Sequence, residues 1–172
     1  MLLRFRVANH RSIRAEHELS LVATELNEGT ARPTGVRAEG REIAVVPVAG
    51  IFGANASGKS NVLAAFRAMR EAVRTSLAEW AQGGSVPREP FALAPAARED
   101  TTLFEVDFLL DERPVRYTYG FELSDERVEA EWLHAYPHGR RQVWFDREAD
   151  RERGEEFLFP GEGPTRQEGA AR

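Results

Sequence analysis

The stretch Ile51-Phe52-Gly53-Ala54-Asn55-Ala56-Ser57-Gly58-Lys59-Ser60-Asn61-Val62-Leu63 decides how this chain is read. Residues Gly53 to Ser60 match G-x-x-x-x-G-K-[ST] at every fixed position, and the pattern carries a mechanism. The successive backbone N–H groups of such a loop form a concave nest for phosphate oxygens, and Gly53 and Gly58 let the chain bend where a Cβ would obstruct it. A helix opening at the end of the loop adds unpaired amides and the positive end of its dipole. In that setting Lys59 bridges the β- and γ-phosphates of a nucleoside triphosphate, and the Ser60 hydroxyl is one ligand of a magnesium ion. The pattern therefore predicts ATP and Mg2+ as ligands.

Working outward, Val45 to Phe52 is a continuous apolar run, which predicts a strand buried on both faces, with Pro47 at its start or at a bulge. On the other side the spacing of Val62, Phe66, Met69, Val73, Leu77 and Trp80 predicts a helix from Gly58 to about Ala81, ended by Gly83-Gly84. At the N-terminus, Leu3, Phe5 and Val7 alternate with Arg4 and Arg6 as in a half-buried strand, and Leu19, Leu21 and Ala23 predict a second strand running back beside it. Glu25 to Arg41 reads as an exposed loop. Beyond a connection over Pro87 to Ala97 the period changes to two. One face is Phe104, Val106, Phe108 and Leu110; the next is Val115, Tyr117, Tyr119, Phe121 and Leu123. Val128, Ala130 and Trp132 follow, then Val143 and Phe145, which predicts a four-strand antiparallel meander.

These elements predict an α/β P-loop NTPase lobe: a mixed sheet carrying the P-loop helix, plus the antiparallel meander. Residues 1–86 read as the nucleotide-binding lobe, 87–160 as an antiparallel β subdomain of the same head, and 161–172 as a disordered tail. Net charge is −5, spread as +3 over residues 1–86 and −8 over 87–172, so neither half is a basic nucleic-acid surface by charge alone. Of the 23 basic residues only Lys59 is lysine, and it stands where a compact ammonium suits a nest of amides better than a planar guanidinium. With no cysteine, disulfides and thiolate metal sites are excluded. The longest largely apolar run, Ile43 to Phe52, is half of the about 20 residues that a membrane-spanning helix needs. The N-terminus offers no signal-peptide core, and the expectation is a cytoplasmic protein.

The loop G-A-N-A-S-G-K-S-N followed by V-L-A-A-F resembles the phosphate loop of the SMC/RecF class of ABC-type ATPase heads. Asn55, Asn61 and Leu63 stand where that class tends to carry asparagine, asparagine and leucine. F-R-V-A-N-H-R-S-I at the N-terminus is similar to the opening strand of the class, with His10 replacing the usual aromatic residue. The resemblance implies that Arg11, Ser12 and Asn61 lie close to the nucleotide, beside Gly53, Ala54, Asn55, Ala56, Ser57, Gly58, Lys59 and Ser60. Y-T-Y-G-F-E-L and V-E-A-E-W-L-H-A-Y-P-H-G-R-R-Q-V-W-F-D-R-E resemble the corresponding region of stand-alone bacterial RecF/OLD-like ATPases, which often accompany abortive-infection and phage-defence loci. That resemblance covers roughly residues 1–148. It implies a head-to-head homodimer closed through ATP, and an effector protein or DNA as a further partner.

Such heads hydrolyse ATP with a Walker B Asp-Glu, a signature loop from a second subunit and a switch histidine, and none of these follows the meander. Phe108-Leu-Leu-Asp111-Glu112 is interrupted by Asp107 and runs into Arg113-Pro114, so Asp111 and Glu112 read as turn residues rather than catalytic ones. The expectation is the N-terminal lobe of a longer ATPase, binding but not hydrolysing ATP on its own. A non-hydrolysing nucleotide sensor and a P-loop kinase are the alternatives. His134, Tyr136 and His138 alternate like metal ligands but read better as a strand edge and turn. Gln82 and Gln142 both remain candidates for a magnesium-contacting glutamine. Tyr117, Tyr119, Trp132 and Trp144 read as sheet packing rather than base stacking.

Overall fold

A computed structural model describes residues 1–27, 29–38, 40–80, 86–110, 113–150 and 154–158. The alternation at the N-terminus forms β1 (Leu2–Ala8), with Leu3, Phe5 and Val7 buried and Arg4 and Arg6 on the other face. β2 (His17–Ser20) returns antiparallel along one edge of β1. Along its other edge runs β5 (Thr102–Leu110), which leads into β6 (Arg113–Leu123), β7 (Val128–Tyr136), β8 (Gln142–Asp150) and β9 (Gly154–Leu158). The order is β2-β1-β5-β6-β7-β8-β9, so residues far apart in sequence share one seven-stranded sheet. The meander is there as its period predicts, and β9 lengthens it by a strand that the charged sequence after Arg147 conceals.

The helix α1 (Lys59–Glu79) lies across one face of this sheet. Its buried residues are Ala65, Met69 and Ala72, set against Phe5, Val7, Phe104, Phe121 and Leu123. Each such aromatic or aliphatic side chain contributes about 1.5–3 kcal/mol on full burial. The sheet supplies the bulk here, and the helix comes close by presenting alanines. The predicted stripe is therefore rotated: Val73 is exposed and Phe66 sits at the margin, edge-on to Phe5 at 5.2 Å. Gly83-Gly84, Gln82, Asp111-Glu112 and the tail 161–172 lie outside the described residues. Among the described residues no helix is long and apolar enough to cross a membrane.

Three expectations are corrected. Glu25 to Arg41 is not a loop throughout: β3 (Arg32–Ala38) pairs with β4 (Arg41–Val45) in a separate hairpin. Pro33 and Gly35 hide it in the sequence, and a register shift between Pro33 and Arg37 absorbs them. Secondly, the apolar run does not form a strand from Val45 to Phe52. β4 ends at Val45, and Val48 and Phe52 are 79% and 93% exposed. A strand buried on both faces needs neighbours on both edges, and among the described residues this run has none beyond Val46, whose N–H donates to Leu21 O at 2.9 Å. In consequence every described strand pairing is antiparallel, where a mixed sheet was expected. Thirdly, Phe108 and Leu110 do not continue the inner face. Register shifts at Leu2/Arg4 and Leu109/Leu110 bury Leu109 instead, beside Leu3, Val36 and Val45 in a second core under the hairpin.

On the face opposite α1, Gly120 pairs directly with Trp132, and the indole lies over the glycine. Trp132 Nε1–H donates to Glu105 at 2.8 Å, and the same carboxylate accepts from Arg6 Nε at 2.8 Å. A Cβ on Gly120 would stand 2.4 Å from Trp132 Cζ2. Gly120→Ala must therefore lift the indole off its carboxylate, and we expect a loss of about 1–3 kcal/mol in urea unfolding. An unchanged unfolding midpoint would contradict this packing.

Candidate functional site

The loop from Gly53 to Ser60 is exposed and connects the apolar run to α1. Ala56 and Gly58 take positive φ, 63° and 88°, the left-handed bends that a phosphate nest requires. Gly53 leaves room for Ser57, since a Cβ there would stand 2.8 Å from Ser57 Oγ and make that hydroxyl turn away. Between Ala54 and Ser60, Ser57 alone has a backbone acceptor for its amide among the described residues, Ala54 O at 3.3 Å. The other loop amides and those of Lys59 and Ser60 thus present donors without protein acceptors among the described residues. Lys59 curls back over this loop, its ammonium donating to Gly53 O at 2.9 Å and Ala54 O at 2.6 Å. No acidic residue occurs from Ala44 to Arg70, so nothing in the loop itself opposes an anion. The donor set fits a polyphosphate.

Beside the loop stands the turn that ends β1. His10 and Ile13 exchange backbone bonds at 2.8 Å, leaving Arg11 and Ser12 at the tip. Ser12 Oγ accepts from Asn61 Nδ2 at 2.6 Å, which brings the turn against the start of α1. Arg11 is held away as a bidentate pair with Glu89 at 2.9 and 2.8 Å, and this guanidinium keeps the Glu89 carboxyl below its usual range.

The sequence profile of the family described as "AAA domain, putative AbiEii toxin, Type IV TA system" matches residues 48–172, more than two thirds of the chain. The chain belongs to this AAA-domain family. It is a P-loop ATPase family with a link to abortive infection. No curated protein and no solved structure matches the chain. The matched segment of this AAA domain starts inside the exposed run and includes the whole loop and the meander, while Arg11 and Ser12 precede it.

Of the residues singled out in the sequence, the structure brings together Gly53 to Asn61 and, from outside the matched segment, Ser12. Ser60 is exposed on the second residue of α1, and its hydroxyl has no protein partner among the described residues. The other candidates lie in the sheet and its turns, and His134 is on β7, between β6 and β8, rather than at a sheet edge. His134 is buried, with Arg141 Nη2 3.0 Å from its Nε2, and burial followed by Arg141 lowers its pKa. Tyr136 carries the Arg116 guanidinium 3.7 Å from its ring centre, and His138 lies in a separate 3-10 turn. Among the described residues no group of three or more His, Cys, Asp or Glu is placed to hold a metal ion. Tyr117 packs edge-on against Trp144 at 5.2 Å, and Tyr119 donates to Glu131 at 2.7 Å. Gln142 is exposed at the start of β8.

Two residues of the N-terminal turn, ahead of the matched segment, take structural roles that their place in the sequence does not reveal. Asn9 is buried at φ 51°, and its Nδ2 reaches the carbonyls of Ala97, Asp100 and Thr101 at 2.6, 2.9 and 3.2 Å. His10 is buried edge-on to Phe104 at 5.4 Å, and neither ring nitrogen has a hydrogen-bond partner. Burial, then the neighbouring Arg11, pushes the His10 pKa below its ordinary 6.5, with Glu89 opposing. Because the unfolded chain then binds the proton more readily, this contribution is present above pH 6.5 and is lost as pH falls below it toward the folded pKa. His10→Phe keeps the ring contact and removes two unsatisfied nitrogens. It should stabilise the domain by about 1–2 kcal/mol and flatten the fall in stability between about pH 7 and 5. A residue of pH dependence should remain from His134. Destabilisation by this change, measured in urea, would mean that the ring nitrogens have partners.

Proposed function

We propose that this AAA domain binds ATP with Mg2+ through Gly53 to Ser60 as the N-terminal lobe of an SMC/RecF-like ATPase in an abortive-infection or other phage-defence system. The single observation that supports it most is the loop itself: unpaired amides, two left-handed bends and one lysine, with no acid in its own sequence. Lys59 would exchange the carbonyls of Gly53 and Ala54 for β- and γ-phosphate oxygens, and the loop amides would cradle the remaining charge. Ser60 would ligate Mg2+, which when bound supplies charge neutralisation across the phosphates. The exposure of Val48, Ile51 and Phe52 supports the lobe reading, because an apolar run of this kind is stable in water only when another part of a head covers it. In the working protein two such heads would close face to face on their nucleotides and regulate a toxic or DNA-directed partner.

Hydrolysis would need groups beyond these. Leu110 and Arg113, which flank Asp111-Glu112, pair beyond the Leu2 end of β1, whereas the turn that touches the loop lies beyond the Ala8 end. Six residues of strand separate the two ends by roughly 20 Å. The described chain on either side of Asp111-Glu112 thus lies away from the loop, and a nucleotide sensor is the second reading.

Calorimetry tests the proposal. The chain should bind ATP·Mg2+, Lys59→Ala and Lys59→Arg should abolish binding, and Ser60→Ala should weaken it. Undiminished affinity in Lys59→Ala would sink the proposal. For catalysis, steady-state phosphate release from residues 1–172 should stay at background in both the parent and Glu112→Gln. Turnover that depends on Glu112 would make the chain a self-sufficient ATPase.

A further inference from the structure

We propose that Ser12 and Asn61 are a positioning pair, which fixes the start of α1 and so aims the loop amides at the triphosphate. The inference rests on the nucleotide reading above. It assigns these two side chains to each other, whereas the family resemblance would place both on the nucleotide.

Asn61 is the third residue of α1 and makes two bonds that meet at one place. Its backbone N–H donates to Gly58 O at 2.9 Å, and its side-chain Nδ2 donates to Ser12 Oγ at 2.6 Å. Gly58, the left-handed residue between them, faces the same hydroxyl: a Cβ built on it would lie 2.8 Å from Ser12 Oγ. Ser12 therefore faces both the bend that shapes the nest and the first turn of the helix that completes it. A hydroxyl on a mobile loop would transmit nothing, but this one sits on an over-determined turn. His10 and Ile13 bond reciprocally, Arg11 N–H donates to Glu89 O at 2.7 Å, and Phe91 N–H donates to Asn9 Oδ1 at 2.9 Å. Asn9 and Arg11 both hold φ near +50°, a conformation that persists in non-glycine residues only where the surroundings impose it. The sheet thus holds the turn, the turn holds Asn61, and Asn61 holds the end of the loop.

The test is a double-mutant cycle on ATP·Mg2+ affinity with Ser12→Ala, Asn61→Ala and the double variant, together with Ser12→Thr, which retains a hydroxyl. Each single change should raise Kd about two- to tenfold, as loss of one neutral hydrogen bond would. The double variant should be no worse than the weaker single, since both remove one interaction. Ser12→Thr should recover most of the affinity, and amide exchange at position 61, whose N–H is bonded to Gly58 O, should quicken in the Ala variants alone. Losses that multiply in the double variant would mean two independent nucleotide contacts and would overturn the pair. Unchanged affinity in all variants, with Lys59→Ala still abolishing binding, would overturn the pair and leave the nucleotide reading standing. Full binding by Lys59→Ala would remove both.

Discussion

The buried side chain of Asn9 is the constraint on which the rest of the site depends. It closes the end of β1 by binding three carbonyls of the 97–101 segment and the amide of Phe91. Its own carbonyl accepts from the Thr102 hydroxyl at 2.8 Å, at the start of β5. One polar residue at 4% exposure thereby ties the first strand to the first strand of the meander and to the chain that leads into it. Buried polar groups specify a unique arrangement only when fully satisfied, and this one is. Without it, the turn carrying Ser12 would have no fixed place against the phosphate loop.

The division of labour follows from that clamp. The seven-stranded sheet is a platform whose apolar face receives α1 through alanines, so the helix axis is set by the sheet and not by its own bulk. The loop leans on the N-terminal end of that helix and is otherwise open to water. Exposure suits a site that must take up and release a charged ligand, while the left-handed bends and the Lys59 ammonium keep it folded in the meantime. The opposite face is closed by a different kind of network, in which Glu105 accepts from both Arg6 and Trp132. Every member of that network is spoken for, and it reads as structure.

Much of this was legible in the residues. The loop could be read because its chemistry dictates residue types at fixed spacing, and β1 and the meander because a half-buried strand must alternate. The hairpin β3–β4 could not be read, since Pro33 and Gly35 mimic a loop until a bulge absorbs them. The apolar run before the loop misled for a physical reason: its composition reports an environment that the described residues do not provide. Phe108 and Leu110 failed because a single register shift moves side chains to the other face. Asn9 and Glu89 carried no local signal at all. Their roles come from contacts across 78 to 93 positions of sequence, which no periodicity encodes.

The central claim is that a triphosphate is held by the backbone of this loop. Amide chemical shifts during titration of the isotope-labelled chain with ATP·Mg2+ test it most directly. The account predicts that the largest shifts fall on Ala54 to Ser60, with smaller ones at Ser12 and Asn61, and that the meander amides stay still. Saturable shifts centred on the meander, with the loop amides unmoved, would contradict it.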